Sequence, residues 1–216
     1  QIYPHKKDVH FFPAWPENLI DESNKENQNQ IISSFSKNIT KIVFTGNVGE
    51  AQNFDTIFKA AKMLKNEKNL LWIVIGSGRK LEQIKSQIKK EGIKNFIFKG
   101  HVPLSEIKNY HENADMLLIS LSKGEGLSGT IPGKLQTYLN SKKFIVGLIE
   151  GEAKKIIEET NSGKCFDPED YIEFSNFIKK ALKDKELLKI ENSISVTEYL
   201  NKYFNKKKII DKLFDL

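Results

Sequence analysis

Cysteine is nearly absent from this chain of 216 residues: Cys165 stands alone. No internal disulfide can form, so a reducing cytoplasm is the expected setting. Cys165 follows a predicted strand start, Gly163-Lys164, and reads as a small core residue. Long apolar runs are missing too. None approaches the roughly 18–20 residues of a membrane span, and residues 1–20 lack the charged-then-apolar layout of a signal peptide. The four histidines, His5, His10, His101 and His111, show no H-E-x-x-H spacing and no cysteine pairing, so no metal site is expected from them. His101 follows a predicted strand and reads as a turn residue within reach of a ligand. His111, on a short helix, reads as a surface or boundary residue. No D-x-D pair of carboxylates stands near a strand end, so a metal-chelated diphosphate has no support.

What is present is an ordinary globular composition, 39% hydrophobic and 29% charged, with length for one well-buried domain plus extensions. The net charge of +6 raises nucleic-acid binding. The lysines, however, are scattered (Lys62–Lys68, Lys80, Lys85, Lys89, Lys90, Lys206–Lys208) and interleave with glutamates, as on solvated helix faces. There is no aromatic-rich RNA-binding signature. A basic face resting on anionic lipid or a polyanionic substrate is the better reading.

Residues 1–40 differ from the remainder. Tyr3-Pro4, Phe11-Phe12-Pro13 and Trp15-Pro16 mark an extended stretch, and Asp21–Asn38 is polar enough for a linker. From Lys41 the pattern is regular. Apolar runs at Lys41–Thr45, Leu70–Ile75, Asn95–Lys99, Met116–Ser120, Phe144–Leu148 and Lys164–Phe166 alternate with helical spacing at Phe54–Leu64, Lys80–Glu91, Leu104–Asn113, Ile131–Asn140, Ala153–Glu159 and Ile172–Leu182. The end, Leu187–Leu216, reads as helical. Short apolar strands alternating with helices predict an α/β fold, a Rossmann-like parallel sheet of about six strands with helices on both faces. Most strands end in Gly or Ser, at the carboxyl edge where such sheets bind ligands.

The stretch at 128–150, SGTIPGKLQTYLNSKKFIVGLIE, runs through Pro132 into the helix at Ile131–Asn140. A helix N-terminus offers unpaired N–H groups and partial positive charge, and Lys134 in its first turn adds a full charge, which suits a diphosphate. Three familiar motifs fail. Gly76-Ser77-Gly78 has Leu81 where a dinucleotide fingerprint needs a third glycine. A Walker loop would need Gly at 128 and Ser or Thr at 135, where Ser128 and Leu135 stand. Gly126-Leu127-Ser128-Gly129-Thr130 is one glycine short of a nucleophile elbow, and no histidine follows it.

From about Val43 to Leu213 the chain resembles glycosyltransferase family 4. Phe44-Thr45-Gly46-Asn47-Val48-Gly49 looks like the family's first strand and glycine turn, and Phe58–Leu64 like its "xxAAxxL" helix. Leu71–Gly78 is similar to its "vGxG" strand and loop, Phe96–Pro103 to "fxGxv", and Ala114–Ser120 to "ADxxLxxS". The 128–150 stretch resembles the donor segment P-S-K-x-x-E-Y, and Gly151-Glu152 with Ile156–Glu158 and Ser162-Gly163 its "G-E…ii-e…sG" segment.

The resemblance implies the carboxyl-terminal half of a GT-B fold. Residues 1–40 would be the interdomain hinge, 41–192 the Rossmann-like nucleotide-sugar-binding domain, and 193–216 the closing helices. It implies a retaining transferase that needs no cofactor and no metal, with a nucleotide-sugar donor, UDP-linked by preference. The acceptor, a saccharide or lipid-linked hydroxyl in cell-surface polysaccharide synthesis, would be held by an amino-terminal half. The setting would be the cytoplasm, with peripheral contact at the inner membrane face. Carried over by position, Gly46, Asn47 and Gly49 would line the diphosphate, with the Gly76–Gly78 loop beside them. Gly100, His101 and Val102 would meet the base, and Ser128, Gly129 and Thr130 the sugar and phosphates. Lys134 would balance the phosphate charge; Arg79 is a second candidate cation or a solvent-facing residue. The family's two glutamates, eight positions apart, fall on Gly129 and Thr137. Glu125 lies out of register and could substitute if the loop bends. That loss favours, as an alternative, a non-catalytic relative that binds nucleotide or a partner; an unrelated doubly wound binding domain is a third reading, since fold alone does not fix function.

Overall fold

The computed structural model of the chain describes residues 38–190 and 193–214; the hinge expected at 1–40 lies almost wholly outside them. Six strands form one sheet: β1 (Thr40–Thr45), β2 (Leu70–Ile75), β3 (Phe96–Gly100), β4 (Met116–Ser120), β5 (Phe144–Leu148) and β6 (Gly163–Phe166). All pairings are parallel and the order is β3-β2-β1-β4-β5-β6. Parallel neighbours need crossover connections, and the helices supply them: α1 (Phe54–Met63), α2 (Leu81–Lys90), α3 (Leu104–Glu112), the one-turn α4 (Glu125–Ser128), α5 (Gly133–Asn140) and α6 (Gly151–Glu159), while α7 (Tyr171–Lys183) follows the last strand. Two more, α8 (Ser193–Tyr203) and α9 (Lys206–Phe214), follow. None of the described helices is long and apolar enough to cross a membrane.

Side chains alternate across a strand, so each strand feeds two cores. Ile42, Phe44, Trp72 and Val74 pack against α1, α2 and α7 through Ile57, Ala60, Ile84, Phe174 and Ile178. Val43, Ile73, Leu117 and Ile145 pack against α5, α6 and α8 through Leu135, Tyr138, Ile157, Val196 and Leu200. Burial on both faces explains why the strands read as unbroken apolar runs rather than as alternation. Cys165 is partly buried against the second of these cores, and burial pushes its thiol pKa up, to about 12.

Three boundaries depart from the periodicity. The helix expected from Ile131 starts at Gly133, because Pro132 takes an extended N-cap conformation. The segment before it, expected as a loop, contains α4. The helical end is broken between Tyr203 and Lys206, where Phe204 turns into the core at 3% exposure.

The sheet divides at its centre. β1 pairs with β2 along six residues, Thr40↔Leu70 through Thr45↔Ile75. With β4 it pairs only at Ile42↔Met116 and Val43↔Leu117. The order reverses here, and the carboxyl halves of β1 and β4 part, which is where doubly wound sheets take ligands.

Phe174, fully buried, meets the rings of Trp72 and Phe166 at centroid distances of 6.2 and 5.7 Å. Phe174→Ala should cost about 3–5 kcal/mol in urea unfolding; a loss below about 1 kcal/mol would mean that α7 does not seat on the sheet as described.

Candidate functional site

The carboxyl ends of the first three strands are laced by their loops. The Gly46 N–H donates to Ile75 O at 2.9 Å, Val48 N–H to Ser77 O at 2.8 Å, and Gly76 N–H to Gly100 O at 2.7 Å. The loops are in backbone contact: a Cβ on Gly76, whose φ is +128°, would stand 2.0 Å from Gly46 O. Only glycine satisfies both the conformation and the approach. Between these loops lies a cleft of about 280 Å³ lined by Thr45, Gly46, Asn47, Ile75, Gly76, Ser77, His101, Val102 and Ile107. Ser77 Oγ and His101 Nε2 meet at 2.9 Å on its rim.

Lys134 approaches Gly46 from the other side of the division, behind the cleft rather than among the residues that line it. Its Nζ stands 3.2 Å from where a Cβ on Gly46 would be and 3.7 Å from the centroid of the Phe44 ring, over its face. That nitrogen is buried and has no hydrogen-bond partner among the described residues. Burial holds its pKa down, to about 7; the Phe44 ring is the neighbour that favours the charged form. An ammonium without an acceptor is costly to bury, by about 1–3 kcal/mol or more, so the site is electrostatically unfinished. An anion placed at Gly46 would complete it.

A polar cluster fastens this region. Tyr138, on α5 with Lys134, accepts the Thr45 N–H at 2.9 Å through its hydroxyl. Thr45 Oγ1 lies 3.2 Å from that hydroxyl and 3.2 Å from His111 Nε2. His111 is 1% exposed, contrary to its reading as a surface or boundary residue. Its ring packs edge-on against Tyr138 at 5.2 Å, and burial takes its pKa down to about 4.

Residues 24–194 match the family described as glycosyl transferases group 1. The chain belongs to that family. WcaI of Escherichia coli (strain K12), a proposed colanic acid biosynthesis glycosyl transferase, is 23% identical over 212 residues, 94% of this chain and 50% of WcaI. WaaG, a glycosyltransferase involved in lipopolysaccharide biosynthesis, matches with a TM-score of 0.71 at 16% identity, over 95% of this chain and 56% of WaaG. HepE of Anabaena, solved in complex with UDP-glucose, matches with a TM-score of 0.68 at 15% identity, over 83% of this chain and 50% of HepE. The chain thus spans about half the length of these relatives. Its fold is that of the carboxyl-terminal domain of GT-B transferases.

Within this family member, Gly46, Asn47, Gly76, His101 and Val102 come together in the cleft. Gly78 and Gly100 lie in its supporting backbone: a Cβ on Gly78 would stand 2.3 Å from Val48 O. Gly49 does not offer its amide as expected. That N–H donates to Gln52 Oε1 at 3.1 Å, while Asn47 Nδ2 holds the same oxygen at 3.2 Å. Gly46 and Val48 also spend their N–H groups inside the fold, which leaves Asn47 as the residue of the 46–49 turn whose amide bonds to nothing among the described residues. Arg79 is exposed and does not line the cleft. Nor do Ser128, Gly129, Thr130 and Thr137; Ser128 O abuts Gly151 instead, 1.8 Å from where a Cβ would stand. Glu125 opens α4, the turn that follows β4. Sequence reasoning passed over Ser77, between two recognised glycines, and the pair His111 and Tyr138. Tyr138 falls on the tyrosine of the P-S-K-x-x-E-Y segment and serves there only to fix the register, while His111 belongs to no motif; its sole signal is a polar ring on a helix face that the apolar spacing turns inward.

Lys134→Met tests the burial. Below about pH 7 folded and unfolded chains both carry the Lys134 proton, and the cost of the buried charge is felt in full. Between about 7 and the ordinary value of 10.5 the unfolded chain binds more protons, so stability rises with pH. The parent should therefore gain on Lys134→Met as the pH is raised from 7 to 10 and not between 5 and 7, read by denaturant unfolding. A difference independent of pH would place the amine in water.

Proposed function

We propose that this chain is the donor-binding half of a retaining glycosyltransferase, which moves a sugar from a nucleoside diphosphate, UDP by preference, to an acceptor hydroxyl. The observation that carries this reading is the buried, unpartnered Lys134 Nζ against Gly46, beside an open cleft at the division of the sheet. HepE, with bound UDP-glucose, shares the fold, and the functions named for WcaI and WaaG support a saccharide polymer as the acceptor class. The diphosphate would lie over Gly46 and the Asn47 amide, with the base toward His101 and Val102. The 128–130 turn would face the sugar and phosphates.

In the transfer, the acceptor oxygen bonds to the anomeric carbon as the bond from that carbon to the diphosphate oxygen breaks, and the acceptor's proton passes to the departing diphosphate. Negative charge grows on the departing diphosphate, and a fixed cation beside it lowers the barrier. Lys134 would supply that cation. A unit negative charge about 4 Å away at an effective dielectric of 20 is worth about 4 kcal/mol, enough to return the amine to its charged form. Membership of a transferase family favours an active enzyme. The missing carboxylates at Gly129 and Thr137 favour a second reading, a relative that keeps nucleotide binding without turnover.

Calorimetry with UDP at pH 8.5, in buffers of different ionisation enthalpy, should show uptake of close to one proton per UDP bound, and none in Lys134→Met. The variant should also bind about 10- to 100-fold more weakly, the loss of one charge-assisted contact. Equal affinity in parent and variant would remove Lys134 from the site.

A further inference from the structure

The ladder at the division of the sheet is completed by a side chain. Along β1 the N–H groups of Thr40 and Gly46 point to the β2 side, bonding Asn69 O and Ile75 O. Those at odd positions point to the β4 side: the Lys41 N–H donates to Asp115 Oδ2 at 2.8 Å, and Val43 pairs with Leu117. Thr45 is next in that series, but β4 has already diverged. Its N–H goes to the Tyr138 hydroxyl instead.

The cluster has one consistent proton order. Ser141 Oγ donates to the Thr137 carbonyl at 2.8 Å, so toward His111 Nδ1, 3.3 Å away, it can only accept. A neutral His111 therefore carries its proton on Nδ1, and Nε2 accepts from Thr45 Oγ1. Thr45 Oγ1 in turn accepts from the Tyr138 hydroxyl. Every donor is used, and the chain joins the end of β1, α3, and the last turn and C-cap of α5.

We propose that Tyr138 and His111 are positioning residues that stand in for β4 at the end of β1 and hold α5 so that Lys134 meets a diphosphate at Gly46. This rests on the nucleotide site proposed above. Fixed networks of this kind keep a charged group within the fraction of an ångström that such contacts require. Tyr138 and His111 act through Lys134 and touch no ligand themselves, so their effect must vanish when Lys134 is gone.

The test is a double-mutant cycle on UDP affinity, with Tyr138→Phe made in the parent and in Lys134→Met. In the parent it should weaken binding about tenfold; in Lys134→Met it should change binding less than about twofold. Ile157→Val, a core change in the same cluster but outside the network, should leave affinity unchanged and so separates positioning from general loosening. Imidazole ¹⁵N correlations of the parent should show His111 protonated on Nδ1 alone. An equal loss in both backgrounds, or a proton on Nε2, overturns the proposal. Absence of UDP binding by the parent overturns the nucleotide site as well, whereas tight parent binding with unchanged Tyr138→Phe affinity overturns the positioning role by itself.

Discussion

The backbone contact between the first two strand-end loops constrains everything at the carboxyl edge. Gly46 O occupies the space a Cβ on Gly76 would need, and Val48 and Ser77 are bonded through their main chains. Two loops this close leave no room for a side chain at Gly76, and the cleft beside them is lined by Thr45, Ile75, His101, Val102 and Ile107 as well as by the loop glycines. The same contact spends the amides of Gly46, Val48 and Gly76 on the fold. A loop that binds its neighbour so fully has few N–H groups to give a phosphate, and the charge must come from elsewhere.

In the proposed site it would come from α5, across the division of the sheet. Early divergence of β1 and β4 opens a slot that Tyr138 and Lys134 enter one turn apart. Tyr138 satisfies a strand amide there, and Lys134 finds no acceptor among the described residues. A buried polar group without a partner works against folding, and its retention at the ligand edge of the sheet is understandable if a ligand provides the partner. Site and fold are thus coupled: the residue that closes the ladder stands on the helix that carries the charge.

The sheet was legible because its strands are buried on both faces: Leu70–Ile75 and Met116–Ser120 stand as predicted, since such runs leave no polar position to blur their ends. Helix starts were less legible. Pro132 can open a helix or cap it, and only its extended backbone decides that α5 begins at Gly133. Of the site, the glycines and His101 were readable from position after a strand. The state of Lys134 was not. A lysine in a first helical turn reads as a charge in water, and its burial depends on how Phe44 and Gly46 pack from ninety residues away in the chain. His111 was misread for the same reason, since the Thr45 and Tyr138 partners that make its burial tolerable come from other elements.

The central claim is that a nucleoside diphosphate binds where β1 and β4 part. It is tested most directly by titrating UDP into ¹⁵N-labelled protein and mapping amide shifts. The largest changes should fall at Asn47, Ser77, His101, Gly133 and Lys134. Changes confined to the lysine-lined cleft at the opposite edge of the sheet, around Lys65, Lys68 and Lys94, would contradict it.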